Sequence, residues 1–318
     1  MTLIIERTAF FMSVQDTGRF GFQRFGVPES GPMDWIALRC ANLLVGNGCQ
    51  AACLEVGFSS ATITLHQDTL MAVCGAGYRV TLNSREIPLW MAVKARGGSR
   101  LHLERTGAGN WAYLSIHGGI RSPLRMGSRS DAPRYGIGHR LAAGDELLTT
   151  SKLDPPLQYA GRSIPVKARP PYASDQPIRV VPGPHSARFL PASLDDFWEG
   201  TFTIQTNSDR MGYRLNGPVL KHHANADIVS QGLVTGEIQV PADGQPIVMM
   251  PDHPTTGGYA CIGTVTTIDL PLLAQSAFLD AKMRFTPITA AAAQSLLQQG
   301  IEKIDSSISE QEEPWWNL

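Results

Sequence analysis

Neither sign of charge is in excess in this chain: 27 Lys and Arg stand against 28 Asp and Glu. A polyanionic partner such as nucleic acid calls for a basic surplus, so none is expected. Long apolar runs are also missing. No segment reaches the ~18 consecutive apolar residues that a membrane-crossing helix needs. The opening MTLIIERTAFFMSVQD lacks the basic-then-apolar order of a secretory leader. The expectation is a cytoplasmic protein without membrane association.

Cysteine is scarce and odd in number: Cys40, Cys49, Cys53, Cys74 and Cys261. An odd set cannot pair completely, and Cys49 with Cys53 has no second close pair to complete a metal clamp. His222, His223 and Asp227 make no better metal set, since adjacent histidines on a strand face opposite ways and no fourth ligand follows. No metal is expected. The motifs that name an activity by themselves are likewise missing: no Walker A phosphate loop, no dinucleotide glycine fingerprint after a strand, no HExxH pair, no nucleophile elbow.

What the chain does have is apolar residues at 43% against charged residues at 17%, enough for a packed core over 318 residues. Its 31 glycines and 22 prolines fall between β-branched runs such as TLIIERT, ATITLH, WAYLSIHG and GEIQVP, which predicts a mainly β protein with a few short helices. PMDWIALRCANLLVG spaces its apolar residues by three and four and predicts a helix, with Ser30 as its cap. ARFLPASLDDFWEG predicts short helical turns, and ITAAAAQSLLQQGIEKID a C-terminal helix. The division expected is an N-terminal β domain over 1–153, a proline-rich linker over 154–177, a second β domain over 178–290, and a helix with an acidic tail over 291–318. From Lys94 to Arg140 nine basic residues face two acidic ones, either a solvated face or an anion-attracting rim.

Chemistry is then sought in four polar loops. In SDRMGYRLNGP, Gly212 permits a tight bend, and Arg210 and Arg214 carry planar forks suited to carboxylate or phosphate; Tyr213 reads as core or as pocket wall. In GEIQVPADGQPIVMMPDHPTTGGY, alternation turns Gln239 away from the apolar layer. Asp252 offers a carboxylate, His253 a polar ring, Thr255 and Thr256 hydroxyls, and Gly257 and Gly258 amides for an anion nest if the turn alternates in handedness. Tyr259 reads as core or as part of the pocket. In the first half, VQDTGRFGFQRFGVPESGPMD supplies Arg19 and Ser30, and HGGIRSPLRMGSRSDAPRYGIG supplies Arg129. Together the four loops predict a small-molecule cleft.

At these residues the sequence resembles a known family. VQDTGRFGFQRFGVPESGPMD, MGSRSD, SDRMGYRLNGP, GEIQVPADGQPIV and DHPTTGGY recur in that order in the C-type subunit of bacterial ATP-dependent 5-oxoprolinase, also called the KipA or allophanate hydrolase subunit 2 family. That family in turn resembles half of the carboxyltransferase region of urea carboxylase. The resemblance implies cyclophilin-like β-barrel modules, a KipI-like B-type partner and an A-type partner of the lactam-utilisation kind. It also implies opening of 5-oxoproline to glutamate with ATP supplied in part through the partners. Arg210, Asp252, Gln239 and His253 would then be catalytic; Arg214, Tyr213, Thr255, Thr256, Gly257, Gly258, Tyr259, Arg19, Ser30 and Arg129 would bind substrate. Asp209 stands where Asn is usual, and His253-Pro254 where Arg-Gln is usual. Two alternatives follow from the same resemblance: part of a biotin-dependent carboxyltransferase or urea-type amide enzyme, or a non-catalytic KipA-like regulator. The chain has no Met-Lys biotin attachment motif, so carboxybiotin would have to arrive on a separate carrier.

Overall fold

The computed structural model describes residues 2–107, 109–150, 157–172 and 176–308. The acidic tail with Trp315 and Trp316, and residues 154–156 and 173–175 of the expected linker, lie outside them. The chain forms two compact units: Ser30–Pro170 with the segment ending at Arg19 and the one beginning at Glu302, and Pro171–Ile301 with Phe20–Glu29.

The first unit is built from two antiparallel sheets. The seven-stranded sheet runs Ile120–Arg121, Glu146–Thr149, Thr2–Arg7, Ala61–Leu65, Ser99–Arg105, Tyr78–Leu82, Arg85–Ile87. The five-stranded sheet runs Phe11–Gln15, Cys53–Gly57, Trp111–Ile116, Thr69–Gly75, Ala92–Ala95. One apolar cluster is fed by both, including Leu3, Ile5 and Ile63 from the larger sheet and Met12, Leu54 and Leu114 from the smaller. Thr2–Arg7 alternates buried and half-exposed residues, whereas Cys53–Gly57 and Trp111–Ile116 are buried throughout. The difference is coverage: the smaller sheet also carries helix α1 (Trp35–Leu44), and a strand covered on both faces loses its polar alternation.

Helix α1 forms where the spacing predicts and buries Ile36, Ala37, Cys40, Ala41 and Leu44. Its cap is Asp34, not Ser30: Asp34 Oδ1 accepts from the Ala37 N–H at 2.9 Å, the geometry that satisfies an orphan amide of the first turn. Ser30 sits four residues upstream at φ 58°. Beneath the helix start, buried Glu55 accepts from the Met33 N–H at 3.0 Å and the Tyr113 hydroxyl at 2.6 Å. The Asp34 N–H donates to that same Tyr113 oxygen at 2.8 Å.

The second unit holds one sheet in the order Thr203–Ile204, Gly212–Asn216, Ile247–Met249, Glu237–Val240, Thr256–Val265, Ile178–Pro182, Phe285–Pro287, with Asp227–Gly232 also paired to Thr256–Val265. Helix α2 (Pro191–Glu199) begins on proline, whose fixed φ suits a first turn where its missing N–H costs nothing. It buries Phe197, which stacks on Phe285 at 5.0 Å and meets Phe202 at 6.0 Å. Helices α3 (Leu270–Gln275) and α4 (Ala290–Ser306) complete the fold. No helix among the described residues is long and apolar enough to cross a membrane.

The mainly β expectation is met; the closed cyclophilin-type barrel is not. Every sheet path ends on two different strands rather than returning to its first, giving curled, partly open sheets. In the first unit the apolar face is buried by the second sheet, so closure is not needed to hide it.

Candidate functional site

In the second unit, the two polar loops are joined by one ion pair. Arg210 Nε donates to Asp252 Oδ2 at 2.8 Å and its Nη2 to Oδ1 at 2.9 Å, with both side chains about nine-tenths buried. The Asp252 N–H also donates to the Arg210 carbonyl at 2.9 Å, and the Met250 N–H to the Met211 carbonyl at 3.1 Å. A bidentate guanidinium–carboxylate pair fixes distance and orientation together. Arg210 and Asp252, expected to act separately, therefore act first on each other, and clamp residues 209–212 to 250–253. The turn itself is set by Asp209, whose Oδ1 accepts from the Met211 N–H at 2.8 Å; the acid keeps the turn bond that Asn would make.

His253 follows the clamp and is almost fully buried. Its Nδ1 lies 2.6 Å from the Pro254 carbonyl. A carbonyl only accepts, so Nδ1 carries the proton and Nε2, with no hydrogen-bond partner, presents a lone pair. Burial lowers its pKa, only partly offset by the Pro254 carbonyl and Asp252, so the ring is neutral at physiological pH. Gln239 Nε2 donates to Glu237 Oε1 at 3.2 Å, and burial raises the Glu237 carboxyl. Glu237 is a site residue that the sequence reading missed, although an acid two positions from Gln239 shares its face of a strand.

Three expectations change here. Thr255 ends the loop, but Thr256, Gly257, Gly258 and Tyr259 open the strand Thr256–Val265. Gly257 pairs with Gln231 and Tyr259 with Asp227. Neither glycine takes a positive φ, so no backbone nest forms. Instead Gly257 makes room for the Gln239 amide, whose Nε2 would lie 2.8 Å from an added Cβ. Tyr213 is core: fully buried, with its hydroxyl donating to the Ala274 carbonyl at 3.2 Å. Arg214, one strand position beyond it, is exposed.

In the first unit, Asp16 gathers the other two loops. Its Oδ1 accepts from the Gly18 N–H at 2.9 Å, Ser128 Oγ at 2.5 Å and Ser130 Oγ at 2.8 Å; its Oδ2 accepts from the Arg129 N–H at 2.6 Å. Arg19, buried, donates to the Ser130 carbonyl, and Arg129 to the Ser122 carbonyl. Ser30 Oγ donates to the Asp131 carbonyl at 3.2 Å. The candidates Arg19, Ser30 and Arg129 thus meet one structural node around Asp16.

Asp131 stands beside that node. Burial pushes its carboxyl up to about 6, against the Val14 N–H and the charges of His139, Arg125 and Arg19, which pull it down. A carboxyl that keeps its proton to higher pH when folded favours folding in acid, and that contribution fades as pH rises through about 6. Asp131→Asn retains an oxygen for the Val14 N–H and removes the fading term. The variant is therefore expected to gain on the wild type by about 1–3 kcal/mol as pH rises from roughly 3.5 to roughly 7, the span bracketing the ordinary carboxyl value and the raised one, measured as urea-unfolding midpoints; a gap independent of pH contradicts the assignment.

The buried thiols offer no nucleophile. Desolvation pushes Cys53 and Cys261 up to about 12 and raises Cys40 and Cys74 as well, and it is the thiolate that reacts.

Compared with known proteins, residues 25–287 match the family described as carboxyltransferase domain, subdomain A and B. The chain is 38% identical over 278 residues to the 5-oxoprolinase C-type subunit of Escherichia coli, covering 86% of this chain and 87% of that one. It is 32% identical over 305 residues to urea amidolyase of Saccharomyces cerevisiae, covering 89% of this chain but 16% of that protein. Among solved structures, TTHA0988 superimposes with TM-score 0.81 at 32% identity over 90% of this chain and 55% of its own. Urea carboxylase of Kluyveromyces lactis does so with TM-score 0.87 at 27% identity over 98% of this chain and 30% of its own. The chain thus spans about half of TTHA0988 and less than a third of the urea carboxylase.

Proposed function

The chain belongs to the carboxyltransferase domain family shared by the urea amidolyases and the 5-oxoprolinase C-type subunit, and from that premise we propose that it supplies a carboxyltransferase-type site to a multi-component enzyme acting on a small amide or urea-type compound. Within that class the compound is 5-oxoproline, and the chain is the C-type subunit of the enzyme that opens it to glutamate. The observation that supports this choice is identity: 38% over 278 residues to the 5-oxoprolinase protein, against 32% over 305 residues to the yeast urea amidolyase and 27% to the urea carboxylase. The partners are a B-type protein resembling KipI and an A-type protein of the lactam-utilisation kind.

An amide in a five-membered ring is a poor electrophile, so its opening depends on polar groups held in fixed geometry where charge develops. In this reading the Arg210–Asp252 clamp is a positioning element. It holds His253, whose Nε2 lone pair can accept an N–H or O–H proton, and Thr255 at the strand entrance; Gln239, backed by Glu237, presents an amide. Arg214, Thr256 and Tyr259, all exposed, are the residues left to meet substrate.

The start of helix α1 does not suit the phosphates of the ATP that the family consumes. Asp34 places a carboxylate at the first turn of α1, where a phosphate would be repelled, and α2 opens on Leu190-Pro191 without a side-chain cap. No step through ATP is assigned to this chain; that chemistry falls to the partners.

A second reading, transfer of a carboxyl group from a biotin carrier, draws on the superposition with urea carboxylase across 98% of this chain. The two separate by substrate and by carrier. The assembled complex is expected to consume ATP with 5-oxo-L-proline, without bicarbonate and unaffected by avidin. Turnover that needs urea and bicarbonate and stops with avidin would establish the carboxyl-transfer reading instead.

A further inference from the structure

The first unit contains a cavity of about 340 Å³ between the 121–131 loop, the 137–141 segment and the strand Glu146–Thr149, within the size range of small-molecule sites. Its lining is of two kinds. Val14, Ile137, Leu141 and Leu147 make its apolar lining, while Arg121, Arg125 and Arg129, with His139 and Glu146, the single further acid beside Asp131, make its charged lining.

The arginines are presented by rigid backbone. Arg125 and Ser128 exchange N–H···O bonds of 2.8 and 3.2 Å across a two-residue turn, in which Met126 and Gly127 both take positive φ, 51° and 78°. Such a turn is tight, and a methionine is strained in it. Arg129 is fixed by its N–H on Asp16 and its guanidinium on the Ser122 carbonyl. Deep in the same cavity lies Asp131, nine-tenths buried. Its Oδ2 accepts from the Val14 N–H at 3.0 Å. Its Oδ1 packs against Gly138, where an added Cβ would come within 1.7 Å of it, so only glycine leaves room for the carboxyl at that position.

An arginine group, an aliphatic lining and a buried carboxylate are three parts of one recognition pattern. We propose that this cavity binds a small carboxylate with an aliphatic body and an N–H donor, as in an α-amino acid: its carboxylate on Arg125 and Arg129, its body on Val14 and Leu141, and its N–H on the Asp131 carboxylate. Charge-assisted bonds at both ends would fix the ligand's direction in the cavity. The site rests on the first unit alone, so it stands or falls independently of the reaction proposed above.

The test is calorimetric titration of the full chain with L-leucine and with isocaproate, the same skeleton without the amine. Leucine is expected to bind at least about tenfold more tightly. Arg125→Ala, on an exposed turn, should weaken both ligands by about tenfold or more, as loss of a charge-assisted contact does. Asp131→Asn should remove leucine's advantage while leaving isocaproate as tight or tighter. Arg100→Ala, an exposed arginine outside the cavity, should change neither. Absence of saturable binding by either ligand up to roughly 10 mM, an affinity below about −3 kcal/mol in strength, would overturn the proposal. So would unchanged leucine binding in Arg125→Ala and Asp131→Asn variants whose melting curves show them folded.

Discussion

Arg210→Ala is expected to cost about 3–5 kcal/mol of stability, the loss typical when one member of a buried ion pair is removed and the other stays behind. The reason lies in the geometry rather than in the count of bonds. Asp252 is held in the interior by two donors at 2.8 and 2.9 Å, and without Arg210 its negative charge keeps its desolvation cost and loses its compensation. Arg210→Lys should recover only part of the loss, because a single ammonium cannot reproduce a planar fork. The double variant Arg210→Ala with Asp252→Ala should be more stable than Arg210→Ala alone, since it removes the orphaned charge. Hydrogen exchange on peptides covering 205–217 and 247–262 reads this locally: both should lose protection together. Stability within about 0.5 kcal/mol of wild type, the range of ordinary surface changes, would show that the pair does not clamp the loops. The same variant should abolish turnover in the assembled enzyme, but through displaced loops rather than a missing substrate contact.

Asp16→Ala is expected to be about as severe in the first unit, roughly 3–5 kcal/mol, because two hydroxyls and two amides lose one shared acceptor and buried donors left unmade cost about 1–3 kcal/mol each before they relax. The sum is not simply additive, since Ser128 and Ser130 can re-aim their hydroxyls. Asp16→Asn should fall between the two: it keeps an oxygen for the donors now on Oδ1, but turns an NH₂ toward the Arg129 N–H, 2.6 Å from the present Oδ2. Urea unfolding of the three proteins checks the order. An Asp16→Asn protein no more stable than Asp16→Ala would mean that the node is held by something other than its acceptor.

These two residues show how much of the site was legible in the sequence. Arg210, Asp252 and Arg129 were each marked by their loops, because a charged residue beside a glycine turn is conspicuous in one dimension. Their pairings were not, since Asp252 lies 42 positions from Arg210 and Ser130 lies 114 from Asp16. No local period encodes such a pairing. The helix α1 was legible because its apolar spacing is a local property; its cap was misplaced because Ser30 and Asp34 carry equal local credentials. Thr-Thr-Gly-Gly-Tyr reads as a turn by propensity, and becomes strand because its pairing with Asp227–Gly232 overrides that preference. Glu55 passed unnoticed inside CLEVG, where an acid in a fully apolar strand was the available signal. The sheets were legible as strands but not as open paths, since closure depends on which strands meet at the ends.

The most direct test of the central claim is glutamate formation from 5-oxo-L-proline by this chain combined with the lactam-utilisation-type and KipI-like proteins proposed as its partners, measured with each protein present and omitted in turn. Glutamate formation and ATP consumption are expected together, and only when all three proteins are present. Full turnover without this chain, or none from a complex shown to be assembled, would contradict that assignment.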